Sequence, residues 1–334
     1  PETFRADLFP LDLERIEQEY MSFIHRIPSS ETVGLKDDYN GPICYTPDGN
    51  PLVGPVKGLK NYWVACGVMA GLSQGGGVGL SLANWMVEGD PGADIWAMDV
   101  ARYGDWANRP YTNAKVRENY SRRFRIRFPN EELEAARPLR TTPIYEKLQA
   151  ENAVFGDYCT LEHPLWFAPK GTPAKEDATF RRSNAHPHVA EECRAVRESC
   201  GLIEISNYGK FEITGPGAAD WLSKIMACRV PAVGRIALSP MLNPRGRLIG
   251  DFTLCRVADE RFFVVGTYAA EVFYMRWFEQ HLPPTGGSVR PCAMEYLGLS
   301  IAGPESRAVL QKLVDHDLST AAFPFMSFAQ MDVG

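Results

Sequence analysis

Phe211-Glu-Ile-Thr-Gly-Pro-Gly-Ala-Ala-Asp-Trp-Leu222 returns later in the chain as Leu299-Ser-Ile-Ala-Gly-Pro-Glu-Ser-Arg-Ala-Val-Leu310. Each copy reads as a short strand, a Gly-Pro corner and an amphipathic helix. Proline suits a first helical turn because its missing N–H would have had no intrahelical partner there. Two copies predict a duplicated α+β unit, at a spacing too long for a solenoid. Between them, Pro240-Met-Leu-Asn-Pro-Arg-Gly-Arg-Leu-Ile-Gly-Asp-Phe-Thr-Leu-Cys-Arg-Val257 reads as strand, turn, strand, and the chain returns through Arg261-Phe-Phe-Val-Val265. Trp221, Phe262, Phe263 and Trp277 fall at core-like spacings. A compact α+β region is expected over residues 153–334.

Upstream the pattern changes. Asn61-Tyr-Trp-Val-Ala-Cys66 reads as a buried strand, residues 67–79 as a glycine-rich loop, and Val78–Val87 as a helix stopped by Gly89 with Pro91 beyond. Before it, Tyr39–Pro55 carries Asn-Gly and Pro-Asp-Gly turns between short apolar runs, so strands meeting at tight corners are expected. Residues 7–26 have helical apolar spacing, broken at Pro28. Residues 97–152 are charged and irregular and read as a connecting segment. The expected organisation is therefore α+β / α/β and multi-domain, with parts 1–96, 97–152 and 153–334.

A chain of 334 residues suggests two or three domains, and 45% apolar with 23% charged residues indicates a globular chain. The formal charge is −6, and the densest basic patch, Arg122-Arg-Phe-Arg-Ile-Arg127, alternates like a half-exposed strand, so nucleic acid is not an expected partner. The eight cysteines are scattered without a C-x-x-C, which argues against a zinc site and for a reducing compartment: cytoplasm or, in a eukaryote, the mitochondrial matrix. His186 and His188 flank a proline with no Cys or acidic ligand at metal spacing, so no metal is expected. No apolar run approaches the roughly 20 residues that a bilayer requires. The chain opens on Pro1 without a signal peptide and closes on Met331-Asp-Val-Gly334, which reads as mid-strand, so both ends look cut.

Two places invite chemistry. In Gly67-Val-Met-Ala-Gly71-Leu-Ser-Gln-Gly75-Gly-Gly-Val-Gly79, a strand, a glycine turn and a helix start gather free N–H groups and partial positive charge, able to hold a phosphate, a carboxylate or an electron-rich carbonyl. The spacing is neither G-x-G-x-x-G nor a P-loop; a plain tight turn would look the same. Asp251 follows Gly250 in an otherwise apolar strand, where a carboxylate is costly to bury without a partner. It could serve a ligand, bond to nearby amides or face solvent.

At these same residues the chain resembles a known family. Asn40-Gly-Pro-Ile-Cys-Tyr-Thr-Pro-Asp-Gly-Asn-Pro-Leu-Val-Gly-Pro55, Asn61-Tyr-Trp-Val-Ala65 and Gly75-Gly-Gly-Val-Gly79 resemble the C-terminal part of the flavin domain of dimethylglycine and sarcosine dehydrogenases. Ala136-Arg-Pro-Leu-Arg-Thr-Thr-Pro-Ile-Tyr145 is similar to their linking segment. Phe180-Arg-Arg-Ser-Asn184, Gly209-Lys-Phe-Glu-Ile213 and Met241-Leu-Asn-Pro-Arg-Gly246 resemble their folate-binding, aminomethyltransferase-like domain, related to the T protein of glycine cleavage. The likeness runs over essentially the whole chain in order.

The resemblance implies an FAD-dependent oxidoreductase that demethylates an N-methyl amine and passes the one-carbon unit to tetrahydrofolate. It implies that Met69, Ala70, Gly71, Leu72, Ser73 and Gln74 run along the flavin ring. Asp251, Phe252 and Thr253 would contact folate, with Asp251 the catalytic carboxylate. The dinucleotide fingerprint and the FAD-linking histidine of the relatives have no counterpart in these residues, so the chain alone is expected to bind neither cofactor well. The resemblance leaves open which amine is oxidised, and whether oxygen or an electron-transfer flavoprotein takes the electrons. It also leaves open a folate module with a vestigial flavin part, and a silent assembly domain. Gly75–Gly79 separates the first reading from the vestigial one; Asp251 separates both enzymes from the silent one.

Overall fold

The computed structural model describes residues 7–284 and 286–334. Helix α1 (Glu17–Arg26) follows a single 3-10 turn and ends before Pro28, so the helix expected over 7–26 occupies only the latter part of that span. The Pro47-Asp-Gly turn, closed by Gly49 N–H on Thr46 O, leads to β1 (Leu52–Pro55), which pairs antiparallel with β2 (Trp63–Cys66). The strand expected to be buried is not: Ala65 and Cys66 are exposed. A two-stranded ribbon has one neighbour per strand and cannot cover both of its faces.

The glycine run corrects a second expectation. Helix α2 spans Gly71–Glu88, so Gly71 to Gly79 lie inside the helix and not in a loop before it. No proline interrupts the run, and Val78 is buried against the rest of the molecule. Tertiary packing here outweighs a propensity penalty of roughly 0.8–1 kcal/mol per glycine. The stop is as expected: Gly89 takes φ +73 and closes the helix by donating to Trp85 O.

The segment read as irregular holds α3 (Arg109–Ser121), where Pro110 sits in the first turn and Asn108 Oδ1 accepts the Tyr111 N–H at 3.0 Å. It also contains α4 (Tyr145–Ala150). Arg122–Arg127 is turn and coil, with Phe124 90% and Ile126 78% exposed. An alternating pattern without a partner strand has no ladder to join.

Beyond it, β3 (Ala153–Tyr158) and β4 (Leu161–Phe167) form a hairpin that packs Val154 and Trp166 against α5 (Ala185–Glu198). β5 (Gly201–Glu204) precedes β6 (Tyr208–Thr214), α6 (Ala218–Ile225), β7 (Ile236–Leu242), β8 (Leu248–Ala258), β9 (Arg261–Thr267), α7 (Glu271–His281), β10 (Ser288–Pro291), β11 (Leu299–Ala302) and α8 (Ser306–Gln311). The central sheet has the order β10-β6-β9-β8-β7, all antiparallel, while β11 pairs with β5. Both echo copies are strand–corner–helix units, β6–α6 and β11–α8. Gly215 and Gly303 both take positive φ, and a Cβ there would strike Gly286 O and Ser199 O respectively. Each proline falls just before its helix instead of in the first turn.

Strand alternation sets the core. Phe211, Ile213, Leu254, Phe262 and Val264 point to one face and are wholly buried under Trp221 and Leu222 of α6 and Phe278 of α7. Their alternates form the opposite face of the sheet. Residues 331–334, expected to be strand, are coil.

Candidate functional site

On β8, Phe252 is buried while Asp251 is exposed and Thr253 half-buried, so the carboxylate lies on the side away from the aromatic core. Its partner across the ladder is Pro240, which has no N–H to give, and a register shift follows at Met241/Leu242. On the other side, registered pairing with β9 starts at Thr253↔Val265, whereas β9 stays paired with β6 as far as Thr267↔Tyr208. At Asp251 and Phe252, β8 and β9 therefore part. A cavity of about 550 Å³ opens at this point, walled by Leu238–Pro240, Asp251–Thr253 and Val265–Thr267, with Tyr158, Asn207 and Tyr208 at its edge. Among the described residues no hydrogen bond or ion pair reaches the Asp251 carboxylate. Of the three possibilities left by the sequence, bonding to nearby amides is not what the structure contains.

Tyr158 and Thr267 are joined by a 2.7 Å hydrogen bond between their hydroxyls. Both also line a second cavity, of about 950 Å³, beneath the sheet. Its walls come from the C-terminal end of α2 (Trp85, Glu88), from Asp90–Trp96, from the Asn243–Ile249 turn and from α7. The Asp90 carboxylate accepts from Asn243 Nδ2 at 3.0 Å and lies 3.6 and 3.8 Å from Arg245 and Arg247, which holds that turn over the helix end.

Met69–Gln74 lies elsewhere. Ala70 is the N-cap of α2, and the N–H groups of Ser73 and Gln74 both donate to Ala70 O, at 3.0 and 2.9 Å. Leu72 is fully exposed, and the Arg123 guanidinium contacts Met69 Sδ. Cβ atoms at Gly71, Gly75, Gly76, Gly77 and Gly79 would meet nothing within 4 Å. The glycines thus do not serve helix packing inside this chain: they leave bare backbone, at the positive end of a helix, open to a flat or anionic group. That surface fits an electron-rich ring such as a flavin. Along α2, Gly71 at the start of that surface and Trp85 on the wall of the second cavity are 14 residues apart, a rise of about 21 Å. His188 stacks on Trp166 with ring centroids 5.7 Å apart, away from both.

Sequence reasoning missed Tyr158, Thr267 and Tyr274, which stand around the first cavity or just beneath it. The available signal was Gly250 and Gly266, single glycines within strands, which mark a close approach from a neighbouring element.

Comparison with known families matches residues 88–142, which contain α3, to the FAD dependent oxidoreductase central domain, and residues 144–334 to the GCVT N-terminal domain. Fold and site thus define a two-part protein, a flavin oxidoreductase region running into an aminomethyltransferase-type domain. The mouse protein named dimethylglycine dehydrogenase, mitochondrial, is 35% identical over 100% of this chain and 39% of its own length. Human sarcosine dehydrogenase, mitochondrial, is 32% identical over 96% of the chain and 40% of its own. The mouse pyruvate dehydrogenase phosphatase regulatory subunit, mitochondrial, is 29% identical over 97% of the chain and 38% of its own. The chain belongs to the dimethylglycine and sarcosine dehydrogenase family, and spans about two fifths of the length of these relatives.

Proposed function

We propose that the protein carries out oxidative demethylation of an N-methyl amino acid, dimethylglycine or sarcosine, and delivers the one-carbon unit to tetrahydrofolate. In such a protein, bound FAD would accept hydride from the N-methyl group and tetrahydrofolate would accept the carbon. The observation that carries the folate half is the Asp251 carboxylate, unpaired among the described residues, on the wall of a cavity in the GCVT-type domain. It would accept the proton that a folate N–H loses as nitrogen bonds to carbon, with Phe252 and Thr253 beside it. The flavin half rests on Met69–Gln74 and on the glycine face of α2, whose positive end favours negative charge gathering on the ring. Residues 1–96, 97–152 and 153–334 would be the flavin-side, linking and folate-side parts. Electrons would leave to oxygen or to an electron-transfer flavoprotein, and the setting would be the cytoplasm or the mitochondrial matrix.

A second reading has its own support, since a relative of similar identity is named a regulatory subunit. In that reading the chain is an assembly domain without catalysis. Asp251→Ala in the full-length protein separates the two. Asp251 is exposed and unpaired, so its loss should change stability by less than about 0.5 kcal/mol. The enzymatic reading expects N-methyl amine turnover in the wild type and, in the variant, a shift of product from the methylene-folate adduct toward free formaldehyde. An unchanged division between the two products would remove Asp251 from the chemistry. No turnover in the wild type would favour the assembly role.

A further inference from the structure

Pairing between β8 and β9 approaches the gap through Leu254↔Val264 and Thr253↔Val265 and then stops. Carried on past Thr253↔Val265, the same antiparallel register sets Asp251 opposite Thr267. Phe252 and Gly266, between them, turn to the aromatic core: Phe252 is buried there, and a Cβ on Gly266 would lie 2.7 Å from its ring. Side chains alternate along a strand, so Asp251 and Thr267 share the other face. Both are exposed, and both line the cavity of about 550 Å³. A carboxylate on one strand and a hydroxyl on the next thus face each other where the strands part.

The Thr267 hydroxyl does not stand alone, since it meets the Tyr158 hydroxyl at 2.7 Å. A phenol is the more acidic of the two and the better donor, and an alcohol the better acceptor. Tyr158 therefore donates to Thr267 and leaves the Thr267 hydrogen for a further acceptor. The hairpin tip that presents Tyr158 is strained and firmly held. Cys159 and Thr160, at φ +50 and +71, occupy the left-handed region that two-residue hairpin turns usually give to asparagine and glycine. The Thr160 N–H donates to the Asp157 carboxylate at 2.6 Å, and Lys115 of α3 lies 3.4 Å from that carboxylate. Arg140 donates through Nε to Thr160 Oγ1 at 2.8 Å, and through its other nitrogens to Cys159 O and the Tyr268 hydroxyl. Strain of this kind persists only where the surroundings over-determine it. Here it delivers one phenol to the edge of the Asp251 cavity.

We propose that Tyr158 is a positioning residue of the Asp251 site: it aims the Thr267 hydroxyl at an acceptor atom on the ligand edge opposite the one that meets Asp251. This rests on the folate reading, in which Asp251 accepts the proton of the reacting N–H. The site then grips a flat N-heterocycle from two strands, taking an N–H on β8 and giving an O–H from β9.

The test uses the full-length protein and titration calorimetry with tetrahydrofolate, without oxygen or amine. Tyr158→Phe keeps the ring and removes only its hydroxyl, whereas Thr267→Val removes the contact itself. Tyr158→Phe should weaken tetrahydrofolate roughly three- to tenfold, the range for one hydrogen bond, and Thr267→Val at least as much. Because Tyr158 acts through Thr267, adding Tyr158→Phe to Thr267→Val should change affinity by less than about twofold. Thr267→Ser keeps the hydroxyl and should bind within about twofold of wild type. Wild-type affinity in Tyr158→Phe overturns the assignment. So does a second, multiplicative loss in the double variant, the mark of a purely structural tyrosine, or a loss in Thr267→Ser equal to that in Thr267→Val. In any of those cases, weakened binding in Asp251→Asn upholds the folate reading. A wild type that binds no tetrahydrofolate overturns both.

Discussion

A methyl group placed on Gly250 meets the Tyr274 hydroxyl at 2.5 Å and its ring carbons at 2.6 and 2.7 Å, closer than real contacts allow. Neither partner can yield cheaply, since Tyr274 is boxed in by Phe252 and Phe273. Gly250→Ala is therefore expected to destabilise by about 1–3 kcal/mol through overpacking. Thermal unfolding checks this; a midpoint equal to that of wild type would mean that the contact is loose. Gly71 is the opposite case. Its Cβ position is empty and its φ is ordinary for a helix, so valine there should leave the fold intact. If bare backbone at Gly71 faces the flavin, Gly71→Val in the full-length protein should reduce bound FAD or slow reduction by the amine, at an unchanged thermal midpoint. Normal flavin content together with normal reduction would place the ring elsewhere.

At the scale of elements, the strand–corner–helix echo was legible because its cause is local. Gly215 and Gly303 both need positive φ, and the helix after each follows from apolar spacing. The divergence of β8 from β9 was not legible, because it depends on two pairings that lie apart in sequence: β9 stays with β6 to Thr267 while β8 turns toward β7. The same holds for α2. Its glycines read as loop on propensity, and only packing of Val78 and the rest of that side makes them helix. The Arg122–Arg127 stretch failed in the reverse direction, since alternation suggested a strand but among the described residues no strand pairs with it.

At the scale of the whole molecule, a buried ion pair joins the two parts. Arg276 on α7 is 6% and Asp99 2% exposed, and they meet through two bonds of 3.0 and 2.6 Å. Arg276 also donates to Pro55 O at 2.9 Å and lies over the rings of Trp85 and Phe273. One guanidinium thus ties β1, α2 and the segment after α2 to the core under the central sheet. Asp99→Ala would leave a charge stranded in that interior, and is expected to cost about 3–5 kcal/mol, whereas Asp99→Leu with Arg276→Met should recover much of it. Chemical denaturation of the three proteins decides the matter. Equal losses in the single and double variants would show that the pair is not isolated from water as its burial indicates.

Residue order alone determined the family resemblance, the mixed α and β character, the helix stop at Gly89 and the singling out of Asp251 and Met69–Gln74. Each depends on identities adjacent in the chain: a proline, a glycine, a charge in an apolar run. Tertiary structure decided that Asp251 is unpaired, that Pro240 faces it, that Tyr158 and Thr267 close on each other, and that Tyr274 fills the space left by two glycines. It also decided that Asp99 and Arg276 find one another. Most of these facts join groups far apart in sequence, and all of their energies exist only once the sheet has brought the partners within reach.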